Sequence, residues 1–388
     1  MPTPADASSA PRPARRLDGL GVTLIRRVLA EAPPGALHLG LGVSNIDVPE
    51  PVREAVSRAK ALRRADYGPN AGNPDLRRLI AEREGVATDQ VLVTCGVQEG
   101  IALAILGTVD PGTEVAVPDP AFPVYANLAR VAGATPVPYT LRAADRFRPT
   151  WDTVAPALSN NTSMVVLCSP GNPTGATATP DQWTTLVGRL RDYGDDSAPV
   201  ILSDEIYREL QQQSPPHPSA RTHAPHAIVL GGPAKTLGLA GWRLGWAIVP
   251  DALVDPLTAL HQHLVTSAST LPQEALALAL KDPALDTSID RLRLHLRTRR
   301  DRAAARLEAA GWDVAAGDGA FYLWVRPPAH TDDDLAICRD LMHRAGVVTI
   351  PGSAFGPGGA GYLRLSYSVT DATLDDALDR LCNHTFAP

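Results

Sequence analysis

An α/β fold with a mostly parallel central sheet in a large domain, followed by a smaller α+β domain, is what this sequence predicts. Three observations carry that reading. Short, near-continuous apolar runs recur from Val91 onward. Amphipathic stretches of helical length separate several of them. After about Ser288 the pattern changes to an arginine-rich helix and a shorter set of strand-like runs.

The runs are VLVT from Val91, EVAV from Glu114, MVVL from Met164, VILS from Val200, AIVL from Ala227 and GWAIV from Gly245. Strands without alternation are covered on both faces, which is the habit of parallel sheets. GIALAILGTV after Gly100 and DQWTTLVGRLRDYG after Pro180 supply helices between them, and strand–helix alternation argues for a parallel sheet. A long helix over 289–310 leads into FYLWV, a helix at DDLAICRDLMHRAG, then VVTI and YLRLSYS. The expected division is a disordered segment over 1–17, an N-terminal part of the small domain over 18–48, the large α/β domain over 49–287 and the small domain over 288–388. The Pro, Ala and Ser content of the first residues supports disorder there, and the absence of an apolar core argues against a signal peptide.

The chain of 388 residues carries a net charge of −6 and 44% hydrophobic residues. That balance does not suit a nucleic-acid surface, and no apolar run is long enough for a transmembrane helix. Cys95, Cys168, Cys338 and Cys382 are far apart and form no CxxC, so a reduced, cytoplasmic protein is expected.

Of 36 basic residues only three are lysines: Lys60, Lys235 and Lys281. Arginine serves wherever a positive charge suffices. Lysine alone can lose its proton and attack a carbonyl. Lys60 lies in a polar, arginine-rich stretch and Lys281 at a helix end, whereas Lys235 lies among small and apolar residues in GGPAKTLGLAG. A desolvated amine there is a better nucleophile.

Other segments carry weaker signals. LGLGVSN at 39–45 lacks the third glycine of a dinucleotide fingerprint, and Pro49 and Pro51 follow where a helix should begin. TCGVQEG at 94–100 ends a strand and opens a helix, either as a phosphate-binding start or as a plain strand–helix turn. Asp204 closes VILSD with Tyr207 three residues on; it is either a ligand group at a strand end or a helix cap. SPGNPTG at 169–175 reads as a rigid turn, with room for a cis peptide, that holds Asn172 in place. His217, His223 and His226 match no helical metal spacing, so zinc is not expected. The lack of G-x-S-x-G disfavours an α/β-hydrolase.

Taken together, YGPNAGNPDLR, CGVQEG, PDPAFPVY, SPGNPTG, SDEIY, AKTLGLAGWRLG and YLRLSYS, in this order over nearly the whole chain from about Val22, resemble the class I/II aminotransferases. These are fold-type I enzymes that depend on pyridoxal 5'-phosphate. The resemblance implies that Lys235 forms the internal aldimine and moves the substrate proton, that Asp204 pairs with the ring nitrogen, and that Tyr207 and Asn172 bond the ring oxygen. It implies that Phe122 stacks on the ring. Gly96, Val97, Gln98 and Arg243 would hold the phosphate, with Tyr67 reaching the cofactor of a neighbouring subunit in a homodimer. Arg364 would take the substrate α-carboxylate, with Gly42 and Asn172 beside it.

The implied activity is transfer of an amino group between an L-amino acid and a 2-oxo acid by a ping-pong reaction. The alternative keeps the cofactor and changes the outcome to elimination, cyclisation or oxidation. A non-catalytic binding module on the same fold is the third reading, which the retained lysine opposes. Three departures from the family pattern stand out. Gly232 occupies a position where many relatives have a phosphate-binding serine. GVSNIDVP replaces the usual G-x-P-D-F. Gln211, Gln212 and Gln213 replace an aromatic beyond SDEIY. No second arginine for a dicarboxylate side chain is evident in the sequence.

Overall fold

The computed structural model describes residues 12–59, 66–193, 198–213, 217–329 and 331–386; Lys60 therefore lies outside the described residues. Of residues 1–17, the first eleven also fall outside them, and Arg15–Leu17 forms a single 3₁₀ turn.

Seven strands form the large sheet: β1 (Val91–Thr94), β2 (Glu114–Asp119), β3 (Thr135–Thr140), β4 (Thr162–Cys168), β5 (Val200–Asp204), β6 (Ile228–Gly231) and β7 (Gly245–Ile248). Their spatial order is β1-β7-β6-β5-β4-β2-β3. Only β7 runs against its neighbours β1 and β6; the other pairings are parallel. The six apolar runs read from the sequence all lie in this sheet. The seventh strand, β3, escaped the sequence reading because TPVPYT carries two prolines. It sits at the sheet edge and is largely exposed or half-buried, with only Tyr139 buried, where proline costs no ladder bond on the solvent side.

Helices cover both faces. The ones used below are α1 (Leu24–Ala30), α2 (Val97–Thr108), α3 (Pro180–Arg191) and α4 (Ala284–Ala309). Thr179 caps α3 through a capping box with Gln182 and with Pro180 at the first helical position, the arrangement that best satisfies free N–H groups at a start. The arginine-rich helix begins earlier than residue 289, at Ala284, because the Asp282 carboxylate accepts the Ala284 N–H at 2.9 Å and starts the first turn.

A second, antiparallel sheet joins β8 (Asp313–Ala316), β9 (Tyr322–Arg326), β10 (Ile350–Pro351) and β11 (Leu363–Ser366) in the order β10-β11-β9-β8. The N-terminal segment returns to this part of the molecule, since Leu37–His38 pairs in parallel with Val347–Val348. Tyr322, Leu323, Trp324 and Val325 are buried within β9. No helix among the described residues is long and apolar enough to cross a membrane.

Candidate active site

The parallel strands β4, β5 and β6 end side by side, and Cys168 and Asp204 are register partners at those ends. Open α/β sheets place ligands there. A cavity of about 320 Å³ lies at this edge, within the usual range for small-molecule sites. Eleven of the twelve site residues expected from the sequence line it: Gly42, Gly96, Val97, Gln98, Phe122, Asn172, Asp204, Tyr207, Lys235, Arg243 and Arg364. The twelfth, Tyr67, is 90% exposed and lies away from it.

Each side chain is delivered by an identifiable piece of backbone. β6 runs into Gly232 and a one-turn helix, Pro233–Thr236, that carries Lys235. Lys235 Nζ donates to the Gly42 carbonyl at 2.5 Å and lies 5.7 Å from the centre of the Tyr207 ring. A Cβ at Gly232 would come within 3.2 Å of the Leu244 carbonyl and of Gly245 Cα. The missing serine is thus a place where β7 passes too close for a side chain without adjustment.

Asp204 closes β5 without capping a helix, since Tyr207 is the N-cap of the 3₁₀ turn that follows. Its Oδ1 accepts the Ile206 N–H at 3.1 Å, turning the chain after β5, while Oδ2 accepts the Tyr125 hydroxyl at 2.7 Å. It is 4% exposed. Burial pushes its carboxyl above the usual range, opposed by the Tyr125 bond, the Ile206 N–H and the charge of Lys235. A buried carboxylate of this kind is stabilised by a cationic partner.

Gly96 precedes α2 with φ of 87°, and no side chain caps the helix. A Cβ at Gly96 would meet the Arg243 guanidinium at 2.7 Å. The glycine thus allows the arginine to lie over the helix start. A 12-residue helix with free first N–H groups and an adjacent guanidinium is suited to a phosphate. On the other side, Gly245 packs so tightly that a Cβ would fall 2.7 Å from the Val97 nitrogen.

SPGNPTG contains cis bonds at Ser169–Pro170 and Asn172–Pro173. The turn presents the Asn172 amide oxygen to Arg364 Nη1 at 2.8 Å. Arg364 Nη2 donates to the Gly40 carbonyl at 2.8 Å. The guanidinium lies between the rings of Tyr322 and Phe355, at 4.4 and 4.9 Å from their centres, and the residue is 3% exposed. Among the described residues it has no carboxylate partner, and its Nε is buried without a hydrogen bond. A structural ion pair would have supplied both. A buried guanidinium held by neutral acceptors and rings is prepared for an incoming anion. Arg364→Lys should therefore lower kcat/KM for amino acids by about 100-fold, chiefly through KM, because lysine cannot supply the two-pronged contact. Steady-state kinetics with one donor checks this.

Several contributors were not singled out from the sequence. Tyr125 was legible in part, since it ends the PDPAFPVY motif. Tyr322 was read only as part of a core strand. Its hydroxyl lies 2.8 Å from that of Tyr207. Burial and this neighbour push the Tyr207 phenol well above its usual value, so it keeps its proton for donation. Phe122 packs edge-on to Tyr125 with ring centres 6.3 Å apart. Burial first, then Asp204, raises the Cys168 thiol to about 12, which leaves it unreactive. Ile25, Arg26 and Leu29 of α1 also line the cavity.

The glutamines at 211–213 prove to be connectors. Gln212 donates to the Tyr367 hydroxyl at 2.6 Å and to the Ala320 carbonyl at 3.1 Å. Gln211 brackets the backbone of His217. His217 and His223 bond Ala178 and Thr184 through their ring nitrogens.

A lysine amine, a buried carboxylate, a phenol and an anion-ready helix start around one cavity fit pyridoxal 5'-phosphate. The fold and this donor set define a fold-type I pyridoxal-phosphate-dependent transferase. Residues 35–381 match the model of the family described as aminotransferase class I and II, and the chain belongs to that family. It is 32% identical to an aspartate aminotransferase of Pyrococcus horikoshii, over 89% of both chains. It is 34% identical to a probable N-succinyldiaminopimelate aminotransferase of Mycobacterium tuberculosis, over 89% of this chain and 92% of the other. A solved mutant aspartate aminotransferase of Thermus thermophilus superposes with a TM-score of 0.89 at 29% identity, covering 96% of this chain and 99% of that one. The enzyme is thus a pyridoxal-phosphate-dependent aminotransferase.

Proposed function

We propose that the twelve residues named from the sequence divide the work of amino transfer as follows. Bound pyridoxal phosphate supplies the electron-withdrawing ring and carries the amino group between the two half-reactions. Lys235 would hold the cofactor and would move the proton at the substrate Cα. Asp204 accepts the proton-bearing ring nitrogen and keeps it cationic. Tyr207 and Asn172 donate to the ring oxygen, and Phe122 covers one ring face. Val97, Gln98 and Arg243, with Gly96 giving room, hold the phosphate. Arg364 receives the α-carboxylate of amino acid and 2-oxo acid alike, beside Gly42 and Asn172. The observation that carries this reading is the convergence of Lys235, Asp204 and the unpaired Arg364 on a single cavity.

A homodimer with shared sites belongs to the same proposal. Tyr67 is 90% exposed on one chain, an unusual state for a tyrosine and one that suits cover by a second copy. A cytoplasmic location is in keeping with four free cysteines.

The test is a donor panel. Purified holoenzyme is mixed with single amino acids, without an acceptor, in air and under nitrogen. The relatives are named for aspartate and for N-succinyldiaminopimelate, so these compounds head the panel. Transamination predicts a loss of the yellow absorption that a 2-oxo acid restores, with no ammonia released. Ammonia or peroxide formation in place of that cycle would move the enzyme to elimination or oxidation.

A further inference from the structure

The helix start assigned to the phosphate carries a carboxylate of its own, Glu99, in the first turn of α2. A carboxylate is drawn to free N–H groups for the same reason a phosphate is, so the two compete for one set of donors. Glu99 is occupied elsewhere. Its Oε2 accepts the Cys95 N–H at 2.5 Å, and its Oε1 lies 3.0 Å from Nδ1 of His261. An ionised carboxylate only accepts, so Nδ1 carries the proton between them. The Glu99 side chain is 10% exposed and His261 is fully buried. The other ring nitrogen, Nε2, has no partner among the described residues. The bond to Glu99 is therefore the one polar contact that the ring makes among them.

Helix packing delivers the histidine. His261 lies on the helix Asp251–Val265. A Cβ on Gly107 of α2 would fall 2.2 Å from Leu257 Cδ2 of that helix, so the missing side chain lets the two helices lie close. His261 is about one turn beyond Leu257 on the same face, and Glu99 is about two turns before Gly107. The two contacts thus run in opposite directions along an antiparallel helix pair. Between β1 and α2, Thr94 Oγ1 donates to the Gly96 carbonyl at 3.1 Å. With Glu99 on the Cys95 N–H, the turn is fixed by side chains from both of its flanks. Burial first, then the charge of Glu99, raises the Cys95 thiol to about 11, and Arg243 opposes the rise. Carboxylate and guanidinium both act on this turn. Neither Glu99 nor His261 lines the cavity, whereas Gly96, Val97 and Gln98 do.

We propose that His261 and Glu99 are positioning residues for the cofactor phosphate. The histidine draws the carboxylate away from the start of α2 and onto Cys95, which fixes the turn and leaves the N–H groups of Val97 and Gln98 open to the phosphate. This rests on the assignment of the phosphate to Val97, Gln98 and Arg243.

The experiment titrates the cofactor-free, full-length enzyme with pyridoxal phosphate and with pyridoxal, which differ only in the phosphate. Wild type should prefer the phosphorylated form by at least about 100-fold. His261→Leu should narrow that preference about tenfold and leave pyridoxal within about twofold. His261→Asn keeps an N–H near the Nδ1 position and should recover most of the loss. Glu99→Gln with His261→Leu should cost little more than the costlier single change, because one pair is broken in all three variants. An unchanged preference in His261→Leu, a fall shared equally by pyridoxal, a His261→Asn no better than His261→Leu, or additive costs in the double variant overturns the assignment. Arg243→Gln separates this from the reading beneath it. If wild type shows no preference, or Arg243→Gln keeps it in full, the phosphate assignment itself falls. If Arg243→Gln loses the preference and His261→Leu does not, only the role of the pair falls.

Discussion

Replacing Lys235 by alanine should reduce amino transfer by about 10⁴-fold or more, the combined loss of a covalent attachment point and of a positioned proton carrier. Lys235→Arg should be nearly as inactive. It keeps the positive charge but cannot give up a proton near neutral pH, and the contrast separates charge from chemistry. Both variants should still retain cofactor, since the helix start of α2, Arg243 and Asp204 are untouched. Single-turnover absorption changes with a donor, and cofactor content after desalting, check the two halves of this expectation. A Lys235→Arg enzyme with more than a few per cent of wild-type rate would mean that the amine acts only as a charge.

Asp204→Asn should cost about 10³-fold in rate, the scale of losing one preorganised electrostatic partner of the reacting group. The same variant makes an unusual stability prediction. Burial raises the Asp204 pKa above its unfolded value. Such a group favours the fold while protonated, and that contribution is lost as pH rises through the folded-state pKa. Cofactor-free Asp204→Asn should therefore be at least as resistant to urea as cofactor-free wild type at pH 7. The difference should shrink as pH falls toward the unfolded carboxylate value of about 3.9. With cofactor bound, the order should reverse, because the ring cation then compensates the buried carboxylate. Urea midpoints of both proteins at pH 7 and pH 5, with and without cofactor, read out the sign. A wild type that is more stable in all four conditions would contradict the buried-charge account.

What the sequence made legible follows from what each residue type can signal. Buried parallel strands announce themselves as apolar runs, and all six such runs lie in the sheet. β3 did not, because an edge strand tolerates prolines that deny a central one. Lys235 stood out by lysine scarcity, and the glycines at 96 and 42 by the motifs around them. Tyr322 and Phe355 left no such trace. Tyr322 meets Arg364 because β9 pairs with β11 and places Trp324, two residues along, opposite Arg364, and Phe355 because it ends the 3₁₀ turn after β10, whose Ile350 is also a register partner of Arg364. Asp204 left two readings open from sequence; its oxygens accept the Tyr125 hydroxyl and the Ile206 N–H, and the following turn is capped by Tyr207 instead. Arg26 was hidden by abundance: an arginine on a two-turn amphipathic helix looks like any solvated charge until tertiary packing gives that helix a cavity to face.

The most direct test of the central claim is to reduce the holoenzyme with borohydride, digest it and map the cofactor adduct by mass spectrometry. The chain holds only three lysines, so the assignment is unambiguous. The account predicts one phosphopyridoxyl group per chain, on the peptide containing Lys235. An adduct on Lys60 or Lys281, or none on any lysine of a cofactor-bearing enzyme, would contradict it.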